Sequence, residues 1–336
     1  MSEVTTACRM CGSTGPHQTL VVREMYFGTR EQFDYFSCAD CDSVQIVDAL
    51  ECEDLMRHYP NNYYSYVFPV EPGLRQWLTL QEDRFKTHMG GQPVGALIAA
   101  FPQSIRVPLE RTDSSGDVIG MLGKLGVKSG TRILDVGCGS GVLLDRLARA
   151  GFTELCGADP FLEADGTTPL GVPLMKRYLG EVPGEFDLIM FNHSLEHMPD
   201  PVETLKVARD KLADGGACLV RLPTTSSEAW PTYGADWIAI DAPRHIVVPS
   251  RPGMTAAAKT AGLSVEETYD DSSFIQFLAS EAYRRDIPLN DPGLYGKMVK
   301  VLGPKQVWDW QRRAQKLNRQ GRGDWTGFVL RANGQG

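Results

Sequence analysis

The segment from Thr131 to Gly141, TRILDVGCGSG, constrains this chain more than any other stretch. An apolar run stops at alternating glycines and passes at once into VLLDRLARA, which reads as strand, tight turn and helix. Glycine admits left-handed backbone and lets a ligand approach the main chain closely. The N-terminus of the following helix offers unpaired N–H groups. A pyrophosphate turn of the form G-x-G-x-x-G wants a sixth-position glycine, and Val142 stands there instead. The next apolar run, ELCGAD, ends in Asp159, twenty residues after Gly139. A carboxylate at that place can accept from both hydroxyls of a ribose.

From about Asp117 helices and short apolar strands alternate. Leu143, Leu144, Leu147 and Ala148 share one helix face, and Gly151 can end that helix. GVPLMK is a weak third strand and FDLIMFN a fourth. DPVETLKVARDKL follows as a helix with Asp200 at N-cap, Pro201 at N1 and Glu203 at N3. ACLVRLP is a fifth strand, SRPGMTAAAKTAG a helix and LSVEETY a strand. GFVLRA reads as a final edge strand. This order predicts an α/β fold, a doubly wound and mostly parallel sheet. Two stretches interrupt it, one at about 224–245, rich in Trp, Tyr, Pro and Asp, and a helical one at about 272–323. Insertions after strands of such a sheet lie near its ligand crevice, so both are expected to cap the substrate.

Ahead of this region lies a different kind of chain. Cys8-x-x-Cys11-Gly12 and Cys38-x-x-Cys41 have metal-knuckle spacing, and four thiolates make a closed tetrahedral zinc site with no position open for water. A redox pair and two metal-free knuckles are the alternatives. Cys138, Cys156 and Cys218 sit in or beside apolar runs, where cysteine is usually a small buried hydrophobe. HYPNNYYSY is a tyrosine-rich loop, Leu74 to His88 looks helical, and FPQSIRVPLERTDSSGD reads as a linker. The expected partition is a zinc module at 1–50, a linker with a helical lid at 51–115, and the α/β domain at 116–336.

Composition narrows the function classes. No run has the length that spans a bilayer, and MSEVTTACRM lacks the pattern of a secretory signal, so the expected location is cytoplasmic. A formal net charge of −8 argues against a chain built to grip a phosphate backbone. The basic stretch from Lys305 to Arg322 reads as a solvated helix face.

ILDVGCGSG resembles the first motif of class I S-adenosylmethionine-dependent methyltransferases, which have a Rossmann-like sheet. Asp159 matches their ribose-binding acid, and FDLIMFNHSLEHMPDP with LADGGACLVRLP resembles their fourth- and fifth-strand segments. The resemblance covers roughly Asp117 to Tyr269. It implies that Asp135, Gly137 and Gly139 approach the methionyl part of the cofactor and that Asp159 holds the ribose. Tyr178 or Leu179 would flank the adenine, and Cys138, Pro160 and Asn192 would border the same site. No clear Asp ends the third strand, where the family often carries one. C-x-x-C-G, F-x-Y-F-x-C-x-x-C and NNYYSY also resemble sugar C-methyltransferases that carry an N-terminal zinc-binding segment.

Methyl transfer to a hydroxyl or a carbon acid calls for proton removal, for which histidine is suited near neutral pH. The candidates are His193, at the end of the fourth strand, His197 one turn on, and His245 in DAPRH. Glu196 and His197 resemble part of the E-x-x-E-H segment thought to ligate a divalent ion in quinone O-methyltransferases. His193 replaces the first acid of that pattern, so a catalytic ion is not the favoured reading. The histidine segments NHSLEH and DAPRH are expected to converge at the sheet's carboxyl edge, with the aromatics from Trp230 to Trp237 covering the acceptor. The favoured acceptor is a sugar or nucleotide-sugar, with Arg244 or Arg251 supplying a phosphate contact. The competing readings are an RNA methyltransferase gripping RNA through the zinc module, and a non-catalytic cofactor-binding assembly protein.

Overall fold

The structure, a computed structural model, describes residues 2–59, 73–100 and 118–333. Its strands run as β1 (Glu3–Val4), β2 (His17–Arg23), β3 (Gln32–Ser37), β4 (Val44–Ile46), β5 (Ile133–Val136) and β6 (Leu155–Ala158). They continue as β7 (Gly166–Thr167), β8 (Pro173–Met175), β9 (Phe186–Asn192), β10 (Leu212–Pro223), β11 (Val247–Val248), β12 (Leu263–Asp270) and β13 (Trp325–Ala332). The chain forms two compact units whose segments interleave: 1–60, 195–205 and 222–326 in one, 61–194, 206–221 and 327–336 in the other. These units cut across the expected boundaries at 50 and 115. The expected linker at 101–117, and all but the first two residues of HYPNNYYSY, lie outside the described residues.

The unit that holds the glycine turn is built on strands in the order β13-β10-β9-β5-β6-β8-β7. β5 is parallel to both β6 and β9, and β9 is parallel to β10. Parallel strands covered on both faces need continuous apolar runs. Ile133, Leu134 and Val136 of β5 and Leu188 to Phe191 of β9 are accordingly all buried. The helix Val142–Ala150 turns Leu143, Leu144 and Leu147 inward. Gly151 closes it in left-handed conformation, its N–H shared by the Leu147 and Ala148 carbonyls. The helix Gly73–Lys86 matches the helical reading of Leu74 to His88, and Val94–Ala100 is a further helix. The Asp83 carboxylate, buried on the first, receives a two-point bond from Arg146, at 2.7 Å and 2.8 Å.

In the other unit, an antiparallel sheet runs β1-β2-β3-β4-β11. Tyr35, Phe36, Val44 and Ile46 fill its core. Its fifth strand comes from residues 247–248, so the segment 1–50 does not complete this sheet by itself. The helix Arg251–Thr260 follows, capped by the Ser250 hydroxyl, which accepts the Gly253 N–H at 2.8 Å. Asp200 likewise caps the helix Pro201–Asp210, accepting the Glu203 N–H at 2.9 Å. The helical reading of 272–323 holds in Ile275–Arg284, Leu294–Leu302 and Pro304–Arg319.

β13 corrects one expectation, because it is not an edge strand. Asp271 donates its N–H to the Trp325 carbonyl at 3.1 Å, and the Thr326 hydroxyl donates to Asp270 at 2.7 Å. The strand therefore has a partner at its start as well as β10 beside it. Among the described residues no helix is long and apolar enough to cross a membrane.

Candidate functional site

Parallel pairing brings the carboxyl ends of β5, β6, β9 and β10 to one edge, where Val136 stands opposite Ala158 and Asn192 opposite Arg221. An open α/β sheet binds ligands at that edge. Gly137, Gly139 and Gly141 all take positive φ, at 74°, 52° and 77°. A Cβ on Gly137 would lie 2.5 Å from the Ser194 Cβ, so the turn tolerates no side chain there. Ser194 is held in place by donating its hydroxyl to the Val136 carbonyl at 2.6 Å.

Asp159 organises the turn. Its Oδ2 accepts the Gly139 N–H at 3.0 Å and its Oδ1 accepts the Phe161 N–H at 2.9 Å. Each oxygen keeps lone-pair capacity for a diol. Burial raises its pKa, and those two N–H donors work in the opposite direction. Asp135, 4% exposed, is pushed up to about 8 by burial first and by the charge of Asp159 second. A cationic ligand group would relieve both. Cys138 packs against Gly157, where a Cβ would lie 2.5 Å from its Sγ, and burial pushes its thiol up. Pro160 continues the turn after Asp159. Of the adenine candidates, Tyr178 is exposed and its N–H donates to Glu181 at 2.9 Å, whereas Leu179 is buried.

His193 is also fixed at this edge, with left-handed backbone at φ 54° and its N–H on the Arg221 carbonyl at 2.8 Å. The fully buried Arg221 points one guanidinium nitrogen at His193 Nε2 and at the Asn192 side-chain oxygen, the latter at 3.2 Å. A guanidinium only donates, so Nε2 accepts and the ring proton belongs on Nδ1. The His193 lone pair is thus engaged. Sequence reasoning missed Arg221 and Ser194, although a lone arginine inside ACLVRLP was a readable signal.

The other two histidines meet in the unit that contains the antiparallel sheet. Their ring centroids are 4.7 Å apart, with planes at 71°. His245 Nδ1 lies 2.7 Å from the Ala239 carbonyl, and His197 Nδ1 lies 2.8 Å from the Arg244 carbonyl and 3.0 Å from the Tyr59 hydroxyl. A carbonyl only accepts, so both rings carry Nδ1–H and leave Nε2 with its lone pair. His245 Nε2 is 4.0 Å from Glu196, whose side chain is fully buried. Burial and the neighbouring His245 hold His197 down to about 3, and burial also lowers His245. Ligand atoms of Glu196, His197 and His245 lie within 4.8 Å of one another, a spacing that can also serve one divalent ion. Tyr59 and Asp241 were not foreseen in this cluster.

Two expected acceptor contacts are overturned. Trp237 is 1% exposed, and its indole N–H donates to Asp324 at 3.2 Å, so it is a core residue and not a lid. Arg244 is fully buried in internal bonds, and Arg251 donates to Asp270 at 2.5 Å and to the Thr326 hydroxyl at 3.1 Å. Neither arginine is set out as a phosphate ligand.

The four N-terminal cysteines come together, with Sγ atoms within 4.8 Å of one another. Two matching turns present them. Gly12 and Asp42 donate their N–H groups to the Cys8 and Cys38 carbonyls, at 2.8 Å and 2.9 Å, and both have positive φ. The Gln45 amide donates to Cys8 Sγ at 3.0 Å. The Cys41 thiol, helped by backbone N–H groups, draws Cys8 down to about 4 against its burial. Four sulfurs gathered this closely fit a closed zinc site. The His17 ring locks the turns together: Nδ1 accepts the Ala39 N–H at 3.2 Å, and Nε2 lies 3.1 Å from the Ser13 carbonyl.

Residues 111–268 match a family model described as a methyltransferase domain. Fold and glycine site together therefore define a Rossmann-like methyltransferase domain within this chain. Among curated relatives, a ubiquinone biosynthesis O-methyltransferase of Xanthomonas euvesicatoria is 30% identical over 156 residues, covering 41% of this chain and 65% of that protein. One from Pseudomonas aeruginosa is 26% identical over 163 residues, covering 41% and 67%. Among solved structures, the cyclopropane synthase MmaA2 from Mycobacterium tuberculosis aligns over 66% of this chain and 87% of that one, with 16% identity and a TM-score of 0.41.

Proposed function

We propose that this protein is an S-adenosylmethionine-dependent methyltransferase acting on a hydroxyl of a small molecule. The observation that carries the reading is the bond from Gly139 N–H to Asp159, which folds the glycine turn around the carboxylate that would bind the ribose, inside a stretch matched by a methyltransferase-domain model. When bound, the cofactor supplies a methyl group on a cationic sulfur. Asp135, Gly137 and Gly139 would receive its methionyl part and Asp159 its ribose. Leu179 offers the better adenine wall, since Tyr178 points to solvent.

His245 is assigned as the base. Its Nδ1–H is spent on a carbonyl, its Nε2 can take the acceptor proton, and Glu196 at 4.0 Å would balance the resulting charge. His193, with its lone pair on Arg221, is assigned a positioning role, and His197 completes the neutral pair. Cys8, Cys11, Cys38 and Cys41 would hold one structural zinc ion. The O-methyltransferase relatives support a hydroxyl acceptor, phenolic or quinol-like. A sugar or nucleotide-sugar keeps only its resemblance in the N-terminal module, because Trp237, Arg244 and Arg251 are engaged internally.

The test is titration calorimetry of the full chain with S-adenosylmethionine and S-adenosylhomocysteine, followed by labelled methyl transfer to panels of phenols, quinols, sugar nucleotides and RNA. Binding with transfer to a small-molecule hydroxyl is expected. Failure to bind either cofactor form ends the reading, and transfer to RNA alone replaces it with the nucleic-acid alternative.

A further inference from the structure

Glu24 and Arg244 stand 220 residues apart in the chain, both fully buried. Arg244 Nη2 donates to Glu24 Oε1 at 3.0 Å. The same guanidinium grips Asp241 at two points, 2.9 Å and 2.6 Å, and reaches the His58 carbonyl at 3.3 Å. The Tyr26 ring lies 4.9 Å from its central carbon. Glu24 is itself tethered: Oε1 accepts the Phe27 N–H at 2.8 Å, and Oε2 accepts the Thr29 N–H and hydroxyl at 3.0 Å and 3.1 Å. Burial works against its ionisation, yet those donors and Arg244 hold its carboxyl below the usual range.

This clamp bears directly on the histidines. The Arg244 carbonyl receives the His197 Nδ1 proton, and the next residue is His245, whose own carbonyl accepts the Tyr35 hydroxyl at 2.8 Å. Asp241, three residues before Arg244, takes left-handed backbone at φ 40°, so this turn is held in a costly conformation. A buried ion pair is weak evidence for stability, because apolar side chains of similar volume often do as well. In some proteins such a pair selects one geometry instead.

We propose that Glu24 and Arg244 form a positioning pair, through which the hairpin of β2 and β3 fixes His197 and His245 with Nδ1 protonated and Nε2 open. This rests on the reading of the histidine pair as acid–base machinery. The N-terminal segment then does more than carry a metal: it holds the turn that presents the base.

The test uses the full chain labelled with 15N-histidine, and the variants Glu24→Gln and Arg244→Lys. Glu24→Gln retains one acceptor oxygen, enough for either the Phe27 or the Thr29 donors, and Arg244→Lys retains the charge but loses the fork. Imidazole 15N shifts report which nitrogen is protonated, with no acceptor or cofactor needed. Wild type should show Nδ1–H at both rings, and each variant a mixture of tautomers, with metal content and cofactor affinity at wild-type level. With an acceptor from the panel, kcat should fall ~10–100-fold while acceptor KM moves little, as for a displaced catalytic group. Wild-type tautomers in both variants overturn the pairing, whatever becomes of the methyltransferase reading. So does joint loss of metal and cofactor binding in Glu24→Gln, which would make Glu24 a folding determinant only. Shifted tautomers alongside a wild type that binds no cofactor would keep the pairing and refute the function.

Discussion

His197 and His245 meet edge to face at 4.7 Å, and each gives its Nδ1 proton to a backbone carbonyl. Both pKa values lie below the ordinary histidine value, His197 at about 3. A depressed folded-state pKa contributes stability that is complete above about pH 6.5 and is lost as pH falls through that value. Each ring should therefore take away at most ~1.4 kcal/mol per pH unit below 6.5. Thermal melts from pH 7.5 to 5 check this: the decline in Tm should be shallower in His197→Gln than in wild type. Equal slopes would mean that His197 titrates alike in the folded and unfolded chain.

The same pair sets the catalytic expectation. His245→Gln should lower kcat by ~10²–10⁴ as a lost base, with cofactor affinity unchanged. His193→Gln should cost less in kcat, because its Nε2 is engaged by Arg221. Single-turnover rates beside melting temperatures separate these outcomes. A larger loss in His193→Gln would transfer the base role to that residue.

Asp135 predicts a pH signature for cofactor binding. Its pKa of about 8 leaves the carboxyl protonated at pH 7, and a sulfonium or ammonium nearby favours the charged form. Binding at pH 7 should release up to one proton, and affinity should rise with pH until about 8. For the ligand-free protein the sign is opposite: raised above its unfolded value, the group loses stability for the fold as pH climbs from about 4 to 8. Calorimetry in buffers of different ionisation enthalpy measures the proton count, and Asp135→Asn should abolish it.

The parts of this molecule visible in the chain were those written locally. Strand, turn and helix around Gly137–Gly141 lie within twenty residues, and the Cys8–Cys11 and Cys38–Cys41 turns carry their geometry in their spacing. The contacts that complete the histidine site are not local. Nothing near Glu24 announces that its partner is Arg244, and nothing in IVV at 246–248 says that it pairs with β4 of the N-terminal sheet. Trp237 was misread because an aromatic cluster is an equally good sign of a lid or of a core. Its N–H found Asp324, and that decided for the core.

The thiolate cluster makes a prediction about composition. Freshly purified protein kept under reducing conditions should contain about one zinc per chain. Cys38→Ser should lose it and loosen the β1–β4 sheet, while S-adenosylhomocysteine still binds through the other compact unit. Metal analysis and calorimetry on one sample check both halves. A disulfide in place of metal would refute the assignment.

Asp159 fixes the turn by accepting the Gly139 and Phe161 N–H groups, and in the proposed reading its remaining lone pairs would also receive the cofactor ribose. A charged acceptor to a ribose diol is worth ~1.5–3 kcal/mol, so Asp159→Ala should weaken cofactor binding roughly tenfold to a hundredfold. Asp159→Asn keeps one oxygen for a backbone N–H, turns an NH2 toward the other donor and cannot accept from both hydroxyls with charge, so it should lose most of the affinity and lower Tm as well. Gly137→Ala probes the turn alone, because its Cβ would strike Ser194 at a backbone angle that alanine disfavours. It should cost ~1–3 kcal/mol of stability. Part of that loss should return in Gly137→Ala/Ser194→Gly, which removes the obstructing Cβ. Calorimetry and chemical denaturation of these variants assign each effect. If Asp159→Asn binds like wild type, the carboxylate serves the turn alone, and the ribose is held elsewhere.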